Sequence, residues 1–159
     1  MNTGTRQIGN RQLAIGNAKS GATFVYAAAA LVSLIGLADA IYLTVEHISG
    51  RSVRCMILSG CSEVLSSPYA TVRGVPLALI GAASYFTAFS LATLAAFGYH
   101  LAAKLLIALV TLMFFTTLWL LYLQAFVIGS FCQFCLLSAA VTLILTALVA
   151  TSLRTKLRS

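Results

Sequence analysis

The residues best equipped for chemistry in this chain are its four cysteines. Cys55 and Cys61 are separated by Met-Ile-Leu-Ser-Gly, and Cys132 and Cys135 form a C-x-x-C within Phe131-Cys-Gln-Phe-Cys135. Thiolate is the attacking species in disulfide exchange, and C-x-x-C thiols commonly have lowered pKa values. If the motif opens a helix, Cys132 lies beside the unpaired N–H groups of the first turn, whose partial positive charge stabilises a thiolate. Cys135 then lies three residues on, about 4.5 Å along the axis. The two thiols face nearly the same side at different depths, Cys132 for exchange with a protein thiol and Cys135 for contact with something further in. Short spacing favours two disulfides, Cys55–Cys61 and Cys132–Cys135, although four cysteines allow three connectivities. A disulfide closing so short a ring is readily redox-active, whereas a structural one more often joins distant segments, where its stabilisation is larger. A structural zinc site would need all four thiolates to converge, and no histidine ligand is evident. The rival of a different class is a membrane scaffold or carrier with two structural disulfides.

The elements that must position these thiols are apolar. Of 159 residues, 60% are hydrophobic and 8% charged, with mean hydropathy +0.99, against about 25% charged in soluble domains. Residues 22–152 hold only four Lys/Arg and three acids. Four stretches reach the roughly 20 apolar residues that cross the hydrocarbon core: residues 22–45, 75–97, 101–128 and 131–152. The expected fold is all-α, an integral membrane four-helix transmembrane bundle over residues 22–152 with a cysteine-bearing exterior loop, 46–74. A disordered cytoplasmic tail, 1–21, precedes it and a basic cytoplasmic tail, 153–159, follows. The long third span is expected to tilt or project beyond the bilayer. Ala38-Asp39-Ala40 resembles a signal-peptidase site, but the apolar run continues to Val45, so it is read as part of a span.

Charge orients the bundle. The two tails and Lys104 carry seven basic residues and no acid on one side; Arg51, Arg54 and Arg73 stand against Glu46 and Glu63 on the other. The positive-inside rule puts both termini in the cytoplasm. The net charge of +7 therefore belongs to tails flanking spans, not to a nucleic-acid surface. All four cysteines fall on the opposite, exterior face, where disulfides persist. The loop pair is flanked by Gly50 and Gly60, so it can swing between a soluble partner and the bundle. Residues 61–66 are expected as a short surface helix stopped by Ser66, Ser67 and Pro68, with Val64 and Leu65 anchoring it.

Three stretches carry a resemblance: Ser59-Gly-Cys-Ser-Glu-Val-Leu-Ser-Ser-Pro-Tyr69, Gly74-Val-Pro-Leu-Ala-Leu79 and Phe131-Cys-Gln-Phe-Cys135. Together they resemble the vitamin K epoxide reductase family over roughly residues 24 to 150, and the loop spacing resembles its bacterial branch. The resemblance implies a quinone-dependent, disulfide-generating oxidoreductase of a bacterial cytoplasmic membrane. Electrons would pass from a thioredoxin-fold protein to the loop pair, then to the C-x-x-C, then to ubiquinone or menaquinone, with a vitamin K-type quinone as a further candidate. Carried residue by residue, Cys55 would meet the partner, Cys61 would exchange with Cys132, and Cys135 would face the quinone. Many bacterial members of that family carry a fused thioredoxin-like domain; with Ser159 just after the fourth span, the expectation is a separate, DsbA-like partner, the alternative being a sequence cut short of such a domain. In the DsbB type of membrane oxidase the C-x-x-C lies in the first loop, whereas here it opens the last span. Vitamin K epoxide reduction proper is disfavoured by the bacterial-type loop.

A quinone requires an apolar slot with a few polar groups at its head. Met113, Thr117 and Gln124, at i, i+4 and i+11, share one face of the third span, with Gln124 at the expected depth of Cys135. The competing role for Gln124 is an interhelical hydrogen bond. Asp39 is the only acid inside a span, and an aspartate at mid-helix costs about 2.5 to 3.5 kcal/mol on the insertion scale. It is therefore expected to face the bundle or a wet cavity, either as a proton relay near the quinone or simply bonded to a neighbouring helix. Trp119 and Tyr122 are expected in the interfacial belt.

Overall fold

A backbone N–H or C=O in hydrocarbon has no water to bond, so each apolar stretch must satisfy its own backbone as a helix. The computed structural model describes the backbone of residues 3–49 and 61–158, and the side chains of residues 21–49, 61, 64 and 66–154. Four helical segments in it are long and apolar enough to cross a membrane: Gly21–Ile48, Leu77–Ala96, His100–Ile128 and Gln133–Arg154. The protein is a multi-pass, four-helix membrane bundle, as the hydropathy pattern predicts.

In chain order, α1 runs Thr3–Ile48 and a short α2 runs Cys61–Ser66. A 3-10 turn, Pro68–Ala70, leads to strands β1, Thr71–Val72, and β2, Val75–Pro76. Then come α3, Leu77–Ala96, α4, His100–Tyr122, a π-helical turn, Leu123–Ile128, and α5, Gln133–Arg158. Helix α1 packs on α3 and α5, and α4 closes the ring against the same two. The C-terminal end of α1, the N-terminal ends of α3 and α5, and the π turn after α4 therefore share one end of the bundle, where all the described cysteines lie.

Local chemistry sets the boundaries. Pro76 has no N–H and disfavours helix at the residue before it, so Val75 and Pro76 pair antiparallel with Val72 and Thr71 and α3 starts only at Leu77. Arg73 and Gly74, at φ 53° and 82°, turn that hairpin, as a two-residue loop with both central residues at positive φ does. Gly98, at φ 96°, ends α3: its N–H bonds Ala95 O at 3.0 Å and the Tyr99 N–H reaches Leu94 O at 3.2 Å. That is the paired-bond stop a left-handed glycine provides.

The core is built on small residues. Ala29, Ala40, Ala82, Ala88 and Ala92 are buried between α1 and α3 together with Leu106, Val110 and Leu145 from α4 and α5. Small side chains let membrane helices approach closely, where dispersion and interhelical hydrogen bonds replace the hydrophobic effect. The closest approach is at Gly36: a Cβ there would lie 2.5 Å from the Tyr85 ring.

Three boundaries differ from expectation. Residues 3–21, expected as a disordered tail, continue α1 without a break. No proline interrupts this stretch, and adding residues to a formed helix avoids the nucleation cost. The C-terminal tail likewise extends α5 to Arg158. The third span ends in a π turn, which absorbs part of its excess length. The short helix expected at 61–66 forms, but Val64 is tucked against Leu43 in the bundle rather than lying out in the interface; the Leu65 side chain lies outside the described residues.

Gly36→Val is expected to destabilise the bundle by about 1–3 kcal/mol, the usual cost of overpacking. Gly21→Ala, inside α1 with nothing within 4 Å of the added methyl, should not destabilise and should gain up to about 1 kcal/mol of helix propensity. Thermal unfolding of the detergent-purified protein checks both, and equal melting temperatures would refute the Gly36–Tyr85 contact.

Candidate active site

At the cysteine end the four helices splay around a cavity of about 160 Å³. Ala40 and Leu43 of α1, Ala78 and Gly81 of α3, and Leu120 and Leu123 of the third span make its walls mainly apolar. Val64, Ser67, Tyr69 and Ala70, from α2 and the 3-10 turn, cover it from the loop side. Cys135 and Ser138, successive inward positions of α5, line its inner wall.

Beside the cavity, Cys61 and Cys132 are buried in one cluster with Leu43 and Val64, and Cys135 and Phe134 pack against it. Cys61 is 1% exposed and Cys132 fully buried. Phe134, between the two cysteines of the motif, stacks on Tyr42 of α1 at 5.2 Å and fixes the start of α5. The structure thus brings Cys61, Cys132 and Cys135 together; Cys55, the fourth expected site residue, lies outside the described residues.

The redox states of the two pairs differ. Cys61 is disulfide-bonded, with a partner outside the described residues. Cys132 and Cys135 are free thiols, so the expected Cys132–Cys135 disulfide is absent here and the motif is a dithiol. Its two thiols share a hydrogen bond instead. Cys132 sits at the mouth of α5: its carbonyl accepts the first helical bond, from Leu136 N–H at 3.0 Å. The hydrogen bond from the Cys135 thiol pulls the Cys132 pKa below the ordinary thiol value; burial and the Asp39 charge oppose this, while backbone N–H groups of Cys135 and Phe134 support it.

The polar groups of the cavity are few. Asp39, 8% exposed, presents an Oδ2 that is buried with no hydrogen-bond partner among the described residues. Gln124 is buried, and its Oε1 accepts the Cys132 N–H at 3.2 Å. That bond realises the interhelical role weighed for it and leaves the amide NH₂ for the cavity, which Gln124 also lines. The π turn sets Gln124 in this position; such turns often mark functional sites. Thr117 lines the cavity as well. Met113, on the same face, sits deeper and packs against the main core, not at the cavity. One helical turn is too far for it to reach. Trp119 and Tyr122 are exposed on the outer face and stack at 5.9 Å, with Phe126 beyond.

Two residues at the site escape a reading of the sequence. Ser138 lines the cavity, and Tyr85 is buried behind it with its hydroxyl on Ser138 and Thr142. Neither carries a motif. The available signal was a tyrosine in mid-span, which must find a partner for its hydroxyl.

Among comparisons with known proteins, the sequence profile of the Vitamin K epoxide reductase family matches residues 27–150. A search of curated proteins gives no match.

The cause of the lowered Cys132 pKa yields a test. With the loop disulfide intact, alkylation of Cys132 by iodoacetamide should rise with pH through a midpoint below the ordinary thiol value, because only the thiolate reacts. Cys135→Ala removes the largest lowering contribution and should move that midpoint up, toward about 8.5, the ordinary thiol value. Mass spectrometry of the labelled chain reads both; an unshifted midpoint would disprove the Cys135 hydrogen bond as the cause.

Proposed function

The chain belongs to the vitamin K epoxide reductase family, so it is a membrane oxidoreductase, and from that premise we propose that it oxidises a thioredoxin-fold protein and passes the electrons to a membrane quinone, supporting disulfide bond formation. One observation carries the reading. Cys135 opens onto an apolar cavity with a buried carboxyl oxygen that has no partner among the described residues, beside the cluster in which Cys61 and Cys132 meet.

The cavity residues fit a quinone. Apolar walls suit a ring and its tail, and Asp39 Oδ2, the Gln124 NH₂ and the Thr117 hydroxyl are available for its carbonyl oxygens. A buried orphan oxygen costs roughly 1–3 kcal/mol, a cost that a hydrogen-bonding occupant removes. When bound, a quinone supplies a sink for two electrons and two protons.

The chain's own thiols do the rest. A partner thiolate attacks the loop disulfide, which we assign to Cys55 and Cys61. The partner leaves as a disulfide and the loop becomes a dithiol. The Cys61 thiolate then attacks Cys132 of an oxidised C-x-x-C, breaking the Cys132–Cys135 bond and forming a Cys61–Cys132 mixed disulfide. Cys55 displaces Cys132 and restores the loop disulfide, so that Cys132 and Cys135 hold both electrons. An oxidised Cys61 beside a reduced motif is the state this sequence of exchanges ends in. Cys132, with its lowered pKa, is a good leaving group in the last exchange. Asp39 takes a proton at Oδ2 and returns it to the cavity. We place the cysteine end outside a bacterial cytoplasmic membrane and both termini in the cytoplasm, on the seven-to-three excess of basic residues.

The test measures quinone reduction by membranes supplied with a reduced thioredoxin-fold protein. Cys132→Ala and Cys135→Ala should fall to background with any donor. Cys55→Ala should block the protein donor but leave reduction by dithiothreitol, which can reach the inner pair. Asp39→Asn should slow turnover about 10²-fold if it moves a proton. Full activity in Cys135→Ala would mean the cysteines are only structural.

A further inference from the structure

Hydroxyls inside this bundle follow a rule. Ser33, Thr44, Ser84, Thr87 and Thr146 each donate to the carbonyl four residues back in their own helix. Such bonds are how a serine or threonine is satisfied in a membrane helix. Ser138 departs from the rule. Its Oγ lies 2.7 Å from the Tyr85 hydroxyl, on a different helix.

Tyr85 is held there from all sides. It is 2% exposed, and its ring lies against Gly36 of α1, where even a methyl would collide with it. Its hydroxyl also lies 2.9 Å from the Ser138 carbonyl and 3.0 Å from Thr142 Oγ1. Thr142 in turn donates to the Ser138 carbonyl at 3.0 Å. On the far side of this cage Ser138 faces the cavity, one turn inward from Cys135. Gly36 lies three residues before Asp39 on α1. Tyr85 therefore ties the helix that carries Cys135 to the helix that carries Asp39.

Counting protons shows what the cage can do. The Ser138 carbonyl can only accept, while the phenol and each hydroxyl carry one proton and can also accept. In one arrangement the phenol donates to the carbonyl and Ser138 donates to the phenol, so Ser138 Oγ offers only lone pairs to the cavity. In the other the phenol donates to Ser138 Oγ and Thr142 covers the carbonyl. The Ser138 proton is then free to point into the cavity. The same heavy atoms serve both arrangements.

We propose that Tyr85 is a positioning residue that holds Ser138 as a reversible donor and acceptor at the cavity wall, matched to a quinone oxygen that accepts a hydrogen bond before reduction and donates one after it. The proposal rests on the quinone reading above and adds to it. Ser138 donates to the carbonyl oxygen of the oxidised ring and accepts from the hydroxyl of the reduced ring. No heavy atom moves between the two, and the phenol proton shifts between Ser138 Oγ and the Ser138 carbonyl. The wall then recognises the acceptor and its product by one residue.

The experiment combines kinetics with equilibrium binding. Quinone reduction is measured for wild type, Tyr85→Phe, Ser138→Ala, Ser138→Thr and the Tyr85→Phe/Ser138→Ala double variant. Binding of a short-chain ubiquinone and of its quinol is read by quenching of the single tryptophan, Trp119, in full-length Cys132→Ser protein that cannot turn over. Loss of one hydrogen bond predicts that Tyr85→Phe and Ser138→Ala each lower kcat by about tenfold and weaken both quinone and quinol binding. Ser138→Thr, which keeps the hydroxyl, should retain most of both. In the Ser138→Ala background Tyr85→Phe should change nothing further, because its effect runs through Ser138. Melting temperatures control for folding, and if Tyr85→Phe does not fold, the contrast between Ser138→Ala and Ser138→Thr decides alone. An active wild type with unchanged kinetics and binding in Ser138→Ala, or effects that multiply in the double variant, would overturn this role and leave the quinone reading standing. A wild type that neither reduces nor binds quinone would overturn both.

Discussion

A polar atom inside a bilayer has no solvent to fall back on, and that constraint organises this molecule. Nearly every described hydroxyl in the spans turns back on its own helix: Ser90, Thr93 and Thr111 bond carbonyls four residues behind them, just as Ser33 and Thr44 do. This leaves the helix surfaces chemically quiet, and they pack through alanine and glycine. The exceptions gather at one place. Asp39 Oδ2 has no partner among the described residues, Gln124 reaches across to the Cys132 backbone, and Ser138 bonds Tyr85 instead of its own helix. All three polar side chains line the same cavity. A bundle that satisfies polar groups locally elsewhere, and leaves them available at one end, has concentrated its capacity for recognition there.

The thiols obey a related logic. A thiolate buried in apolar surroundings is disfavoured, yet exchange chemistry needs one. The mouth of α5 reconciles the two demands: Cys132 is fully buried but receives the Cys135 thiol and the N–H groups of the first turn, which lower its pKa despite burial. Gln124 takes the Cys132 N–H and so pins the residue from the neighbouring span. The π turn that places Gln124 and the helix start that activates Cys132 are two halves of one device. The short connection 129–132 keeps them adjacent.

Much of this was legible in the sequence because it depends on one-dimensional quantities. Spans follow from the length of apolar runs. The helix mouth at Cys132 follows from where the last apolar run begins. Asp39 announced itself as the only acid within a span. What was not legible depends on register between helices. Met113 shares a face with Thr117, but facing the right way did not put it at the right depth, and the core took it. Gln124 lies on the face and at the depth its spacing predicts, but the π turn that carries it is specified by no residue pattern. Tyr85 looked like one more aromatic in an apolar run; only the approach of α5 reveals that its hydroxyl has a partner. The N-terminal segment misled in the other direction, because a polar composition says little about a chain that continues from a helix already formed.

The geometry also bears on why a relay should need two cysteine pairs. Cys132 has no exposed surface and Cys135 faces the cavity, so a folded protein outside the membrane cannot approach either thiol without opening the bundle. Opening it would admit water to Asp39 and to the cavity, and would loosen the N–H groups that stabilise the Cys132 thiolate. A small element that enters and leaves avoids this. On the proposed relay helix α2 would be that element: six residues long, it carries Cys61 into the cluster at its first position and is held there by Val64 against Leu43. That contact is slight beside the helix–helix seams of the bundle, and local openings occur where buried apolar contact is least. On the proposed relay the inner pair would stay dry while the loop pair carried electrons to it. Access to the partner and contact with the acceptor make opposite demands on solvent exposure, and dividing them between two pairs meets both.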